Sequence, residues 1–260
     1  MQVADLDGLR LHYRDEGAGA PVVFLNSLGT DLRLWDRILP LLPARLRAIR
    51  FDSRGHGLSD APPPPYGMGT LVRDAEMLLD RLEVRGAVLV GCSLGGMIAQ
   101  GLAVKRPDLA RALVLSNTAA RIGTAEMWHE RIAAVEAGGV AALAEGVLQR
   151  WFPPAFHATE EISAWRHMLT RTPATGYAGC AAAIAGTDLY TPTSGLRLPL
   201  LGIAGSEDGS TPPDLVRETV ALVPGGRLHV IRGAGHLPMV DRPLDYAEVL
   251  AGFLAEIGHG

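Results

Sequence analysis

The sequence predicts a doubly wound α/β domain: a mostly parallel sheet with a leading antiparallel hairpin and a helical cap inserted after the sixth strand. Three observations carry that expectation. Short aliphatic runs alternate with helix-like stretches along the chain. One run, residues 87–90, ends in Gly91-Cys92-Ser93-Leu94-Gly95-Gly96 and leads directly into the helix-like Met97-Ile98-Ala99-Gln100. The alternation lapses between residues 119 and 195, where half of the aromatic residues of an aromatic-poor chain gather.

Taken in order, residues 1–16 read as a hairpin turning at Asp7-Gly8, a dipeptide suited to a tight turn. Aliphatic runs follow at 22–25, 46–51, 87–90, 112–115, 200–203 and 228–231. Runs that are apolar throughout, without alternation, suit parallel strands covered on both faces. Leu71, Ala75, Leu78, Leu79 and Leu82 recur at helical spacing and mark one apolar face. Residues 87–104 carry no charge and approach the length of a membrane span. Their glycines, Ser93 and Gln100 fit a buried strand, turn and helix instead. The expected organisation is residues 1–118 as the first part of a core, 119–195 as the cap and 196–260 as the second part, all one folding unit. Helical patches at 124–137 and 140–151, with Trp128, Trp151, Phe152, Phe156, Trp165 and Tyr177, make the cap. Most of these aromatics should bury the cap's own small core, and the cap's place in the chain suits a roof over a site.

The Gly-x-Ser-x-Gly turn carries the chemistry. Between a strand and a helix it is a nucleophile elbow, so tight that a Cβ at position 91 or 95 would crowd its neighbours. A serine hydroxyl is a weak nucleophile and needs a histidine base oriented by a carboxylate, here in the chain order Ser, acid, His. Of eight histidines, only His236, in Gly233-Ala234-Gly235-His236, has the right order and follows a strand. The loop after residues 200–204 offers two neighbouring carboxylates, Glu207 and Asp208. Stabilising the oxyanion takes two backbone amides. Leu94, just after the serine, supplies one, and Leu28, in Asn26-Ser27-Leu28-Gly29-Thr30, the other. Cys92 is expected to be a small core residue and no nucleophile.

Composition narrows the partners. A net charge of −4 with no basic block argues against nucleic acid. Two cysteines cannot build a disulfide scaffold and fit a reducing cytoplasm. No secretory leader, membrane attachment, metal or organic cofactor is expected, since neither Gly-x-Gly-x-x-Gly nor a metal-ligand spacing occurs.

Over essentially its whole length the chain resembles the α/β-hydrolase superfamily. Besides the elbow, Asp52-Ser53-Arg54-Gly55-His56-Gly57-Leu58-Ser59 is similar to that superfamily's Asp-x-Arg-Gly-His-Gly-x-Ser loop, whose Asp, Arg and His are usually structural. A closer resemblance is to the 3-oxoadipate enol-lactonases of aromatic-compound degradation. It rests on residues 26–30, 115–123, 176–184 and 205–213, the second and third of which lie at or in the cap. The resemblance implies Asp208, not Glu207, as the acid. It also implies a Ser93, His236 and Asp208 triad that opens a small lactone carrying a free carboxylate, through an acyl-enzyme. Many relatives have His-Gly where this chain has Asn26-Ser27, which should change the polar lining beside the oxyanion site. Burying the substrate carboxylate needs a cation. Arg121 at the cap entrance is the first candidate, with Trp128 as a wall and Arg33 as a second cation. A carboxylesterase, a carbon–carbon bond hydrolase of the same fold and a slowly turning over ligand receptor stay open as alternatives.

Overall fold

Residues 1–259 are described by the computed structural model. Eight strands make one sheet: β1 (Gln2–Leu6), β2 (Leu9–Glu16), β3 (Ala20–Leu25), β4 (Leu46–Phe51), β5 (Ala87–Cys92), β6 (Ala110–Ser116), β7 (Leu200–Gly205) and β8 (Arg227–Ile231). Their order is β1-β2-β4-β3-β5-β6-β7-β8. β2 runs antiparallel to both β1 and β4, and every other pairing is parallel. The first hairpin turns at Asp7 and Gly8 with φ of 53° and 89°, two left-handed residues whose twist matches the flanking strands.

The central strands are apolar throughout because both faces are covered. Every residue of β5 and of β7 is buried, although successive side chains point to opposite sides. Helices α1 (Met68–Arg81) and α2 (Leu94–Lys105) pack on each other, and α2 also packs on β3, β5 and β6. The uncharged stretch 87–104 is therefore strand, turn and helix, and no helix among the described residues is long and apolar enough to cross a membrane. On α1 the expected stripe buries Leu71, Ala75, Leu78 and Leu79, while Leu82 lies just past the helix end and is half-buried. Asp74 shares the buried face because Arg54 clamps it with two hydrogen bonds of 2.5 and 2.6 Å.

Between β6 and β7 the chain forms α3 (Ala125–Gly138), α4 (Ala144–Trp151), α5 (Pro154–His157), α6 (Ile162–Thr170), α7 (Ala174–Ala185) and α8 (Tyr190–Ser194). All six cap aromatics named from the sequence are buried. Phe152 stacks on Phe156 at 4.2 Å and meets Trp165 at 5.7 Å, a local core of the cap. Trp151, Leu169 and Tyr177 also crowd Gly29, so this layer sits on the loop that follows β3. The chain then returns through β7, α9 (Pro213–Ala221) and β8 to α10 (Pro238–Asp241) and α11 (Pro243–Glu256).

Candidate active site

Ser93 occupies the turn from β5 to α2 with φ 54° and ψ −117°, a strained conformation for a residue with a side chain. The flanking glycines explain how the turn closes. A Cβ on Gly91 would lie 2.3 Å from the Gly95 carbonyl oxygen, and one on Gly95 would lie 2.1 Å from that of Leu25. The end of β6 clamps the turn: Ser93 N donates to Ser116 O at 3.0 Å, and Thr118 Oγ1 donates to Ser93 O at 2.6 Å. The residue is only 8 % exposed.

Two other strand ends bring in the partners. Asp208 follows β7 and His236 follows β8, both buried. His236 Nδ1 lies 2.9 and 3.0 Å from the two Asp208 oxygens. In the neutral ring Nδ1 then carries the hydrogen and Nε2 is left as the basic nitrogen. Burial pushes the Asp208 carboxyl up, yet the charge of His236 and hydrogen bonds from His236, Asn117 and the Thr211 amide outweigh it and hold it below the usual carboxylate range. Asn117 Nδ2 reaches Asp208 at 2.8 Å, and Thr211 Oγ1 reaches it at 2.7 Å. Glu207, by contrast, is exposed. Cys92 Sγ approaches His236 O at 3.7 Å, which seats the histidine loop against the elbow. Burial first and the Asp208 charge second push that thiol far up, so Cys92 is a neutral core residue. No hydrogen bond joins Ser93 Oγ to His236 Nε2 in this resting geometry, a looseness common in unliganded sites.

Beside the elbow the loop 26–30 is fixed from several sides. Asn26 accepts from Trp35 Nε1 at 2.8 Å and donates to Phe51 O at 2.7 Å. Gly29 N donates to His56 Nε2 at 2.9 Å, and Thr30 N donates to Ser27 O at 3.2 Å. Among the described residues the amides of Leu28 and Leu94 donate to no protein group, so both are free to meet an oxygen near Ser93.

A family profile for the alpha/beta hydrolase fold matches residues 20–243. The chain belongs to that family. Among its relatives, 3-oxoadipate enol-lactonase 2 of Acinetobacter baylyi is 35% identical over 192 residues, 73% of this chain and 72% of that one. Enol-lactonase 1 of the same organism is 32% identical over 238 residues, 91% and 89% of the two chains. The crystal structure of the enol-lactonase from Burkholderia xenovorans LB400 superposes with a TM-score of 0.94 at 34% identity, covering 98% of this chain and all of that one.

In this α/β-hydrolase chain the sequence candidates for substrate contact differ in how they are held. Arg121 is exposed, so it offers no dry pocket for a carboxylate. Arg33 forks onto Asp31, with Nε 2.9 Å from Oδ1, and its side chain is 63% exposed. It lines a cavity of about 760 Å³ that holds none of Ser93, Asp208 and His236. Trp128 is buried and donates from Nε1 to Ile122 O at 2.6 Å, so its indole edge is tied to the cap backbone. Asn26 is likewise a bracket rather than an open lining group, because both ends of its amide are bonded. Asn117 and Thr211 lie in the stretches 115–123 and 205–213, but no motif or spacing marks them as partners of Asp208. Their proximity to Asp208 comes from the meeting of three strand ends, and the one local signal was the polar pair Asn117-Thr118 at the end of an apolar run. His56, expected to be structural, is deeply buried; burial lowers its pKa, and its neutral ring accepts from Gly29 while Nδ1 faces Arg54 O at 3.3 Å.

Proposed function

We propose that this chain hydrolyses 3-oxoadipate enol-lactone to 3-oxoadipate through a serine nucleophile. The observation that carries the reading is a serine held at a strained strand–helix turn, beside a histidine locked to a buried carboxylate, in a chain whose relatives include enol-lactonases. Ser93, deprotonated by His236, attacks the lactone carbonyl. Asp208 fixes the imidazole tautomer and stabilises the imidazolium without taking the proton. The Leu28 and Leu94 amides hold the oxyanion, each worth about 3 kcal/mol in transition-state stabilisation. Collapse of the tetrahedral intermediate breaks the ring C–O bond and expels an enolate oxygen, a better leaving group than a simple alkoxide. The enol tautomerises to the ketone, and water activated by His236 hydrolyses the acyl-enzyme. The reaction calls on no group beyond these residues and water. Such an enzyme would serve the β-ketoadipate route of aromatic catabolism in the cytoplasm, where its two buried free cysteines stay reduced.

The test follows the loss of purified enol-lactone. The wild-type chain should consume it in many turnovers, and Ser93→Ala should be slower by about 10⁴-fold or more. Unchanged turnover in Ser93→Ala would remove the serine mechanism. Stoichiometric binding without turnover in the wild type would make the protein a receptor.

A further inference from the structure

We propose that the cavity between α6 and the loop after β3 is a second binding site, separate from the Ser93 site. Its ligand is a small hydroxyaryl carboxylate, an aromatic ring with a carboxylate at one end and a hydroxyl at the other. The inference holds whether or not Ser93 cleaves esters.

Shape comes first. The cavity of about 760 Å³ that Arg33 lines has the size of a small-molecule pocket, and none of Ser93, Asp208, His236, Leu28 and Leu94 borders it. Trp165 and Met168 of α6 form one wall, and residues 30–33 form the other. Leu58, from the loop after β4, closes a side and is 63% exposed, an apolar side chain left in water beside the cavity. An indole, a thioether and an isobutyl group together suit the faces and edge of an aromatic ring.

The buried end carries one open polar atom. His12 lines the cavity with a side chain only 9% exposed, and its Nδ1 lies 2.8 Å from Asp52 Oδ2. Asp52 also accepts from the amides of Leu32 and Leu58, each at 2.8 Å. A carboxylate can only accept, so Nδ1 carries the ring hydrogen and Nε2 of the neutral imidazole is an acceptor. Among the described residues no group donates to that nitrogen. A ligand hydroxyl satisfies it, which an aliphatic or unsubstituted ring cannot do.

The open end is positive. Both carboxylates on the wall are buried and already engaged: Asp52 by His12 and two amides, Asp31 by the Arg33 amide at 3.0 Å and by Arg33 Nε at 2.9 Å. The cations, in contrast, stand outward. Arg14, Arg33 and Arg171 all line the cavity and are exposed. Arg14 leans at 3.4 Å on Glu16, which lies outside the cavity, and Arg171 has no carboxylate partner among the described residues. An organic anion entering ring-hydroxyl first therefore leaves its carboxylate among guanidinium groups and meets no unpaired acid on the way in.

The experiment is calorimetric titration of the full chain with 4-hydroxybenzoate, against benzoate, which lacks the hydroxyl, and 4-hydroxybenzyl alcohol, which lacks the charge. The hydroxy acid should bind once per chain, about fivefold more tightly than benzoate and at least about tenfold more tightly than the alcohol, as hydrogen bonds to neutral and to charged groups differ. Arg171→Glu should weaken the hydroxy acid about tenfold or more, while Arg121→Met, exposed elsewhere on the cap, should keep the parent affinity. His12→Phe keeps a ring, loses Nε2 and should abolish the preference over benzoate. That change strips Asp52 of a partner, so melting temperatures check folding, and Arg171→Glu with the three ligands carries the test if His12→Phe does not fold. No heat with 4-hydroxybenzoate, equal affinity for acid and alcohol, or unchanged affinity in Arg171→Glu would overturn the proposal. Equal affinity for inorganic phosphate would also overturn it, by making the cavity mouth a plain anion patch. Because no turnover is read, these outcomes are separate from the Ser93 test.

Discussion

At the scale of single residues, the site depends on how Asp208 is held. Five donors converge on one buried carboxylate: His236, Asn117, the Thr211 hydroxyl and the backbone amides of Ser210 and Thr211. Its folded pKa lies below the ordinary value. A depressed carboxyl contributes stability that is present above the unfolded pKa of about 3.9 and is lost as pH falls through the folded value. Thr211→Val keeps the shape and removes one charge-assisted bond. It should cost about 1.5–3 kcal/mol at pH 7, and the deficit should shrink in acid, where the carboxyl is protonated. Denaturant titrations at pH 7 and pH 3 check this, and a deficit that is the same at both would place the loss in packing. Ser93 and His236 were legible from motif and order, whereas Asn117 and Thr211 were not. Their role exists only once the ends of β6, β7 and β8 meet, and sequence spacing does not encode that meeting.

At the scale of elements, the elbow and the histidine loop each suggest a measurement. Gly95→Ala drives a methyl to 2.1 Å from a backbone oxygen of β3, which cannot swing aside as a side chain can. The variant should lose about 3 kcal/mol or more and nearly all activity. Gly252→Ala, in α11 with nothing within 4 Å of the added methyl, should gain about 0.5–1 kcal/mol. Thermal denaturation of the pair reads both, and equal effects would discard the steric account. The histidine loop leans on Asp241 of α10, which accepts from Gly235 N at 2.7 Å while its Oδ1 is buried with no partner. Burial lifts this carboxyl to about 7, against the opposing pull of the Gly235 amide and Arg242. A raised folded pKa means that the unfolded chain ionises first. Stability therefore falls as pH rises from about 4 to 7 and levels off above. Asp241→Asn keeps the acceptor and removes the charge. It should be more stable than the parent at pH 8 by up to a few kcal/mol, with no gain at pH 4, as denaturant titrations at the two pH values will read. The elements themselves were largely readable: the runs at 22–25, 46–51, 87–90, 112–115, 200–203 and 228–231 all lie inside β3–β8. Apolar periodicity could not show Asp74 on the buried face of α1, because its partner Arg54 is 20 residues upstream.

At the scale of the molecule, the cap divides what sequence can show from what it cannot. A cluster of aromatics in an aromatic-poor chain marked a separate helical layer, and those aromatics are buried. How deeply a cap arginine sits depends on how α3, α4 and α7 lie on the core: Arg121 drew attention by chain position yet is exposed, while Arg131 and Arg150 are half-buried. The fold is common to many ester hydrolases, and on the proposed reading the choice of substrate lies in the cap. The most direct test of that account compares kcat/KM for 3-oxoadipate enol-lactone with kcat/KM for a neutral aryl ester on the same preparation. The account predicts a value for the lactone of about 10⁴–10⁶ M⁻¹s⁻¹, at least about a hundredfold above the aryl ester. Faster turnover of the aryl ester, with slow turnover of the lactone, would contradict it.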